Sequence, residues 1–398
     1  MRSFCRLARL AIAVVAALTI LGSHGAAAQR RERSWSATGR LQGAFRYDDN
    51  PFLLTAGRKQ VLDQVSPADS QSGRFRDMTS ATDAIPVAGV EVGLAGPGLF
   101  GRALEVSAAA AYEANTQNAR RRHAELTFGI EQSLPKAGRL RLRADWRPSY
   151  FWRNYLSDAI DGSGDGNITP DERIYRPGTS HELDVTLNLR RRLVKARASR
   201  PIGVRGELEA GYFTRGYDAP FAGRDRRGPS AGASVAVELG TRWTVGLGYA
   251  YQSLHADPVR EVQILDETAF GVDFNGTNGA SDTEARASEL VDRSRTEQNL
   301  EASVEAAFNG GVRVQLTYAR RTRAFSSTQP YDVSGRGRRD TRNELAGELT
   351  VRVARGVRLT VDGTMARQAT NRSGDPGSIG EVADYSRRVF AAGLEYRF

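Results

Sequence analysis

The feature of this sequence that most limits its possible folds is an alternation of apolar and polar residues with a period of two. In RALEVSAAAAYE, every second residue from Leu104 to Tyr112 is apolar, and Glu105 begins the intervening set. Successive side chains of a β-strand point to opposite faces of its sheet, so such a segment has one apolar and one polar face. From Ser34 onward the pattern has this period rather than the 3.6 of a helix. The sequence therefore predicts an all-β protein.

Fourteen segments have this alternation, and each has about the length that a tilted membrane strand needs, ~9–11 residues or somewhat more. They are 34–48, 84–94, 102–114, 122–134, 139–152, 181–190, 204–215, 230–239, 243–254, 297–308, 312–324, 341–353, 357–368 and 386–398. Short links rich in turn residues (PKAG, GTR, NGG, ARG) alternate with long polar links at 49–83, 154–180, 255–296, 325–340 and 369–385. Two links depart from this trend, because 115–121 is short and 191–203 is long.

Alternating short turns and long loops are typical of an outer-membrane barrel rather than a soluble sandwich. We expect a single transmembrane antiparallel β-barrel of about 14 strands, with 12–16 still open, and no second domain. An even strand count places both chain termini on the side of the short periplasmic turns. The long loops are then extracellular.

Two short stretches resemble known families. The segment VFAAGLEYRF (389–398), with its terminal aromatic residue, resembles the signal that the barrel assembly machinery reads in Gram-negative outer-membrane proteins. The segment RYDDNPFLL (46–54) is similar to the opening of the β-barrel porins of proteobacteria, some of which are associated with exopolysaccharide export. These resemblances imply the general class and no specific substrate.

The first residues are typical of a secretory signal peptide, with three arginines (Arg2, Arg6 and Arg9), the apolar run LAIAVVAALTIL and the small residues 26–28. A membrane anchor is the alternative, but the apolar run is shorter than the ~20 residues that a spanning helix needs. We expect residues 1–28 to be removed and residues 29–398 to form the barrel in the cell outer membrane. The only cysteine, Cys5, leaves with the signal, so no disulfide is expected in the mature chain.

If the apolar faces meet lipid, the polar faces line the lumen, and neighbouring strands there carry opposite charges. The residues expected to line it are Arg139, Arg141, Arg143, Arg147, Glu125, Glu131, Asp184, Arg313, Glu301, Glu305, Glu344 and Glu348. One interpretation is a lattice of cross-strand ion pairs that braces the wall, each worth ~0.2–1 kcal/mol. The other is a charged, water-filled passage, which the arginines would make favourable for anionic solutes. Nucleic acid is not an expected partner, because the basic residues are interleaved with acids.

The stretch DGSGDGNITPDE (161–172), inside the predicted loop 154–180, resembles the calcium-binding loop of the EF-hand family. The resemblance implies Asp161, Ser163, Asp165, Asn167, Thr169 and Glu172 as ligands, with Gly166 at the sharp turn. Serine at the third position removes a charge, and the flanks read as strand ends rather than helices. The expected site is therefore a lone, weak Ca²⁺ site with a dissociation constant of ~10⁻⁴–10⁻³ M. The alternative is a surface turn rich in glycine and aspartate.

The expected function is an outer-membrane diffusion channel, or porin, for small hydrophilic solutes that are anionic or saccharide in nature, with calcium bound in an extracellular loop. Expected partners are outer-membrane lipid and lipopolysaccharide, the barrel assembly machinery, and a polysaccharide or small anionic solute. One alternative is a closed anchoring barrel that mediates calcium-dependent surface or exopolysaccharide-export interactions.

The second alternative is a hydrolase with its site at the outer rim. His123, His181 and His255 fall near the outer strand ends, but no nucleophile or carboxylate lies at a recognisable spacing from them. We therefore do not expect an enzyme.

Replacing Glu172 with glutamine should abolish calcium-dependent protection of this loop from protease, because the bidentate carboxylate is lost. Limited proteolysis with and without Ca²⁺ measures this protection. Asp158→Asn, in the same loop but outside the motif, should keep it. Identical cleavage of the unaltered protein with and without calcium would rule the site out.

Overall fold

The period-two segments form strands in the computed structural model, which describes residues 35–64, 75, 78–135, 138–156, 167–168, 175–195, 201–264, 285–329, 332, 335–371 and 384–398. Fourteen strands, all paired antiparallel, close into one barrel. Every one of the fourteen predicted segments is among them, so the predicted fold is confirmed. The predicted signal peptide, residues 1–28, lies outside the described residues.

The first strands are β1 (Ser36–Asp48), β2 (Asp83–Pro97), β3 (Ala103–Glu113), β4 (His123–Leu134), β5 (Gly138–Leu156), β6 (Asn167–Ile168), β7 (Tyr175–Val194), β8 (Ile202–Tyr217) and β9 (Arg226–Leu239). They continue with β10 (Trp243–Leu254), β11 (Val259–Ile264), β12 (Ala285–Val291), β13 (Arg295–Ala307), β14 (Val312–Phe325), β15 (Arg339–Ala354), β16 (Val357–Thr370) and β17 (Tyr385–Arg397). One α-helix, α1 (Ala56–Gln64), lies between β1 and β2. The strands β6, β11 and β12 form a separate three-stranded sheet, and the other fourteen form the barrel.

The barrel closes where the first strand meets the last. The register pairs Arg40 with Arg397 and continues along the seam to Asp48 and Val389. At the end of the seam, Gly39 and Phe398 exchange two backbone hydrogen bonds of 3.0 Å. The Phe398 ring lies over Gly39, where a Cβ atom would come within 2.3 Å of it. A side chain at position 39 would therefore displace the C-terminal aromatic ring from the seam.

The outer face of the wall is a belt of exposed apolar side chains. Leu208, Leu247, Leu316 and Leu394 are all more than half exposed, the reverse of what a water-soluble domain does with leucine. Exposed aromatic residues flank the belt, with Trp35, Trp243 and Phe308 at the short-turn end and Tyr47, Tyr112, Tyr212 and Tyr251 toward the long-loop end. An apolar band between two aromatic girdles is the surface of a barrel immersed in lipid. No helix among the described residues is long and apolar enough to span a bilayer.

The predicted loop 154–180 is shorter at both ends than expected. Residues 154–156 belong to β5 and residues 175–180 to β7, and the two strands pair as far as Leu156 and Tyr175. The Pro-Gly pair at 177–178 lies within β7, opposite Asn154 and Arg153, beside a register shift that absorbs the irregularity.

Described residues between β1 and β2 pack against β5 at the long-loop end. Phe52, Leu54, Leu62, Phe75 and Met78 form a buried apolar cluster with Phe151 of β5. The Phe52 and Phe151 rings meet edge to face at 6.4 Å. Because β2, β3 and β4 separate β1 from β5 in the wall, this contact requires the segment to reach over three strands.

Leu316→Arg should destabilise the barrel in lipid by ~2–4 kcal/mol, because Leu316 is near the middle of the apolar belt on β14. The matched control is Gln315→Arg, one residue away on the opposite face, where the register places it beside Glu305 and Glu348. The control should unfold at nearly the same urea concentration as the unaltered protein. Urea titration in lipid vesicles, followed by tryptophan fluorescence, compares them. Equal losses at the two positions would contradict the assignment of the faces.

Candidate lumen and its charged wall

The face opposite the apolar belt is the inner face of the closed barrel, and it carries the charged side chains. All twelve residues predicted to line the lumen are on this face: Arg139, Arg141, Arg143, Arg147, Glu125, Glu131, Asp184, Arg313, Glu301, Glu305, Glu344 and Glu348. From 14 strands about 4.8 Å apart and tilted by ~40°, the backbone cylinder is roughly 28 Å across. That width leaves room for water between opposite walls.

Arginine–carboxylate pairs between neighbouring strands cover much of the inner face. Arg139 of β5 lies 3.1 Å from Glu131 of β4, and Arg313 of β14 lies 3.3 Å from Glu305 of β13. Arg40 on β1 contacts carboxylates on both of its neighbours, β2 and β17. Most of these pairs are partly exposed, so each contributes only about 0–1 kcal/mol. Their main effect is to compensate charge along the wall.

A charged cluster around one buried carboxylate lies near the long-loop end, and we call Arg147, Trp152, Glu182 and Arg215 the mouth cluster. The Glu182 side chain is only 7% exposed and lies 3.3 Å from Arg147 and 2.7 Å from Arg215. The Arg215 guanidinium stacks on the Trp152 ring at 4.4 Å. One buried carboxylate thus compensates two guanidinium groups, which makes it the electrostatic centre of the cluster.

Inward-facing residues become more buried toward the long-loop end. On β13, Arg295 and Glu297 are buried, whereas Glu301, nearer the middle, is exposed. On β16, residues 366, 368 and 370 are buried while 360, 362 and 364 are partly exposed. The lumen is therefore occluded at the long-loop end and accessible to water in its middle.

A cavity of about 300 Å³ lies against the inner wall where β8, β9, β10 and β13 meet. Its floor is made of small residues such as Ser234, Gly246 and Gly248, and Glu301 and Glu305 stand at one side. Small side chains on these strands leave space that elsewhere is filled by arginine. Arg190, Arg205 and Glu207 also line it. Within the described chain Glu301 makes no ion pair, whereas Glu207 pairs with Arg190 and Glu305 with Arg313. The margin of the cavity is therefore of mixed charge, and Glu301 is a carboxylate on it without a cationic partner.

A bulge in β5 changes which side chains reach the lumen. Alternation continued from Leu140 would put Tyr150 and Trp152 on the outer face. The register shifts between Arg147 and Tyr150 and again between Phe151 and Arg153, and both side chains turn inward instead. Tyr150 meets the His123 ring edge-on at 4.7 Å, and the Trp152 indole nitrogen donates a 2.9 Å hydrogen bond to the Ser180 hydroxyl.

Most of the calcium motif lies outside the described residues. Of its twelve positions only Asn167 and Ile168 are described, and they form β6, paired with β12. The proposed ligands Asp161, Ser163, Asp165, Thr169 and Glu172 are in the part of the chain that the structure does not describe. The calcium site therefore stays a prediction.

The described residues include another group that could hold a metal ion, formed by Glu113, His123 and Glu125. Sequence reasoning found no carboxylate at a recognisable spacing from His123 and missed this group. The signal was the i, i+2 pair of His123 and Glu125 on one strand face, together with Glu113 at the facing end of β3. Pairing of β3 with β4 across the short link then brings the three together.

Comparisons with known proteins give no close relative. No family model matches the chain, and no curated protein matches it in sequence. Among solved structures, OccAB3 of Acinetobacter baumannii is 11% identical, over 92% of this chain and 99% of that chain, with a TM-score of 0.39. A bacterial polysaccharide outer-membrane secretin is 8% identical (91% and 98%, TM-score 0.36), and OprD of Pseudomonas aeruginosa is 10% identical (93% and 97%, TM-score 0.36). With TM-scores below 0.5, these similarities carry no argument about what this chain does.

Glu182→Gln should destabilise the barrel by ~3–5 kcal/mol, because it leaves Arg215 without its buried carboxylate, while Arg147 keeps Glu125 as a partner. The control is Glu207→Gln, which removes the partner of Arg190, a side chain that is 49% exposed. That change should cost about 1 kcal/mol or less. Comparing the urea midpoints for unfolding of the two variants in the same vesicles tests this prediction. A Glu182 variant as stable as the control would contradict the role given to the mouth cluster.

Proposed function

We propose that this chain is an outer-membrane diffusion channel for small hydrophilic solutes. The observation that carries the proposal is the water-accessible, polar inner wall in the middle of a closed barrel that is apolar on its outside. Gln42, Glu301 and Glu348 face inward there and are exposed. A barrel filled by its own side chains would bury these residues, as eight-stranded barrels do.

The charge pattern of the wall favours neutral polar solutes, such as saccharides, over strongly charged ones. The anion preference expected from the arginine content needs guanidinium groups that are free to meet a solute. Arg139, Arg147 and Arg313 instead each have a carboxylate partner. Opposite charges along the wall offer alternating hydrogen-bond donors and acceptors, which suit hydroxyl groups.

The occluded long-loop end supports a second candidate, a closed barrel that acts as a surface anchor. The segment that packs Phe52 on Phe151, and the mouth cluster, both reduce the opening on that side. In the channel proposal this region is the constriction, and in the anchor proposal it is a seal. Calcium bound at 161–172 would then bridge the outer loops to lipopolysaccharide or to a polysaccharide.

Reconstitution into planar bilayers separates the two candidates. We expect stepwise conductance, and swelling of protein-containing liposomes in neutral sugars. Absence of both conductance and swelling would contradict the channel proposal and favour the anchor. Lipid and the barrel assembly machinery are partners in either case, because the apolar belt has to be inserted into a membrane.

Glu301→Gln should shift the reversal potential of the channel toward anion preference, because it removes an unpaired carboxylate from the lumen wall. Asp257→Asn, a change of the same charge on an exposed side chain beyond β10, should leave the reversal potential unchanged at physiological salt, where the screening length is about 8 Å. Recording both variants under a salt gradient tests this. Equal shifts in the two variants would mean that Glu301 does not line the conducting path.

A further inference from the structure

Glu113, His123 and Glu125 form a compact group on the inner face at the long-loop end. Glu113 ends β3, His123 begins β4, and the register places the two directly opposite each other. Glu125 lies two residues further along β4, so its side chain is on the same face as that of His123. One ligand atom from each of the three residues lies within 4.8 Å of the others.

The hydrogen bonding of His123 leaves one ring nitrogen directed at the two carboxylates. Its Nδ1 atom lies 2.9 Å from the backbone carbonyl of Arg121, and since a carbonyl only accepts, Nδ1 carries the proton. The Nε2 atom is 3.6 Å from a Glu125 oxygen and 4.0 Å from a Glu113 oxygen, beyond hydrogen-bond length. The side chain is only 5% exposed, so water screens this contact poorly. This nitrogen and the two carboxylates face one another at distances that a shared cation can bridge.

The link from β3 to β4 is rigid, and this rigidity fixes the position of His123. The Asp83 carboxylate accepts hydrogen bonds of 3.0, 3.0 and 3.1 Å from the backbone N–H groups of residues 116, 117 and 118. It also accepts one of 2.9 Å from the Asn115 side chain. Tyr150 packs against the His123 ring from β5 and limits its rotation. The group is thus preorganised on well-packed elements, as a binding site requires.

We propose that these three side chains bind a divalent transition-metal ion of the Zn²⁺ type. One imidazole nitrogen and two carboxylate oxygens are ligands that zinc accepts at about 2.0–2.2 Å, and small rotations of the carboxylates reach these distances. Calcium prefers oxygen ligands alone, so this site differs in chemistry from the one predicted at 161–172. The Nδ1–H bond to a backbone carbonyl is the outer-shell contact that orients a metal-binding histidine.

Two arginines orient the carboxylates and also limit the affinity. Arg46 donates to both oxygens of Glu113, at 3.2 and 2.5 Å, and the Nε atom of Arg147 lies 2.5 Å from Glu125. Arg147 divides its charge between Glu125 and Glu182. The guanidinium groups hold the carboxylates in place but repel a cation, so the site is weaker than a structural zinc site. It does not depend on an open lumen, so a closed barrel would bind the metal as well.

Titration calorimetry of the full refolded barrel in detergent, with ZnCl₂ in the presence of excess Ca²⁺ and Mg²⁺, tests the proposal. We expect one Zn²⁺ site per chain that His123→Gln weakens by at least ~10-fold, the scale on which even outer-shell changes act. Glu125→Gln should weaken it as well. His255→Gln is the control, because His255 is 66% exposed beside Asp257 and far from the group in the fold. The His255→Gln variant should bind Zn²⁺ with the same affinity as the unaltered protein.

Heat-modifiable migration on gels shows which variants have folded. Should His123→Gln fail to fold, X-ray absorption of the zinc-loaded unaltered protein gives the answer, with one imidazole in a shell otherwise made of oxygen. Zinc binding that is absent, or that survives His123→Gln unchanged, would overturn the proposal. So would a zinc shell without imidazole. If the three side chains share only a proton and no metal ion, the titration would show no zinc binding.

Discussion

The whole structure depends on the need to pair every backbone N–H and C=O group that lies in lipid. An open sheet would leave two unpaired edges, and the pairing of β1 with β17 removes both. Once the sheet is closed, alternation assigns each residue to lipid or to the interior without further choice. The apolar half of each strand becomes the belt. The arginines and carboxylates are placed inside because no other face remains for them.

The two ends of the barrel are built differently, and the interior reflects this. At the short-turn end the links after β9, β13 and β15 are only a few residues long, and the exposed inward-facing residues lie toward the middle of the wall. At the long-loop end the segment after β1 packs its aromatic Phe52 on β5, and buried pairs such as Arg295 with Glu297 fill the wall. In the proposed channel, this side would hold the narrowest passage. The charged groups there are buried in pairs, because an unpaired buried charge is far more costly than a paired one.

Period-two alternation was enough to predict all fourteen barrel strands, because it follows from the backbone geometry of a strand. It could not predict the bulge after Arg147, since one extra residue leaves the composition of β5 unchanged but turns Tyr150 inward. Nor could it predict the group around His123. Glu113 and His123 are ten residues apart, and only the register of β3 against β4 makes them neighbours.

Arg147 connects the proposed metal site with the mouth cluster, because it bonds Glu125 on one side and Glu182 on the other. A divalent ion that takes electron density from Glu125 weakens its attraction for Arg147. The guanidinium then relies more on Glu182, which already compensates Arg215. A change of charge at Glu125 therefore alters the electrostatic environment of Arg215, because contacts of 3.3 Å or less connect the two through Arg147 and Glu182. In the proposed channel this row lies at the occluded long-loop end, so an ion bound at His123 would act on side chains beside the proposed constriction.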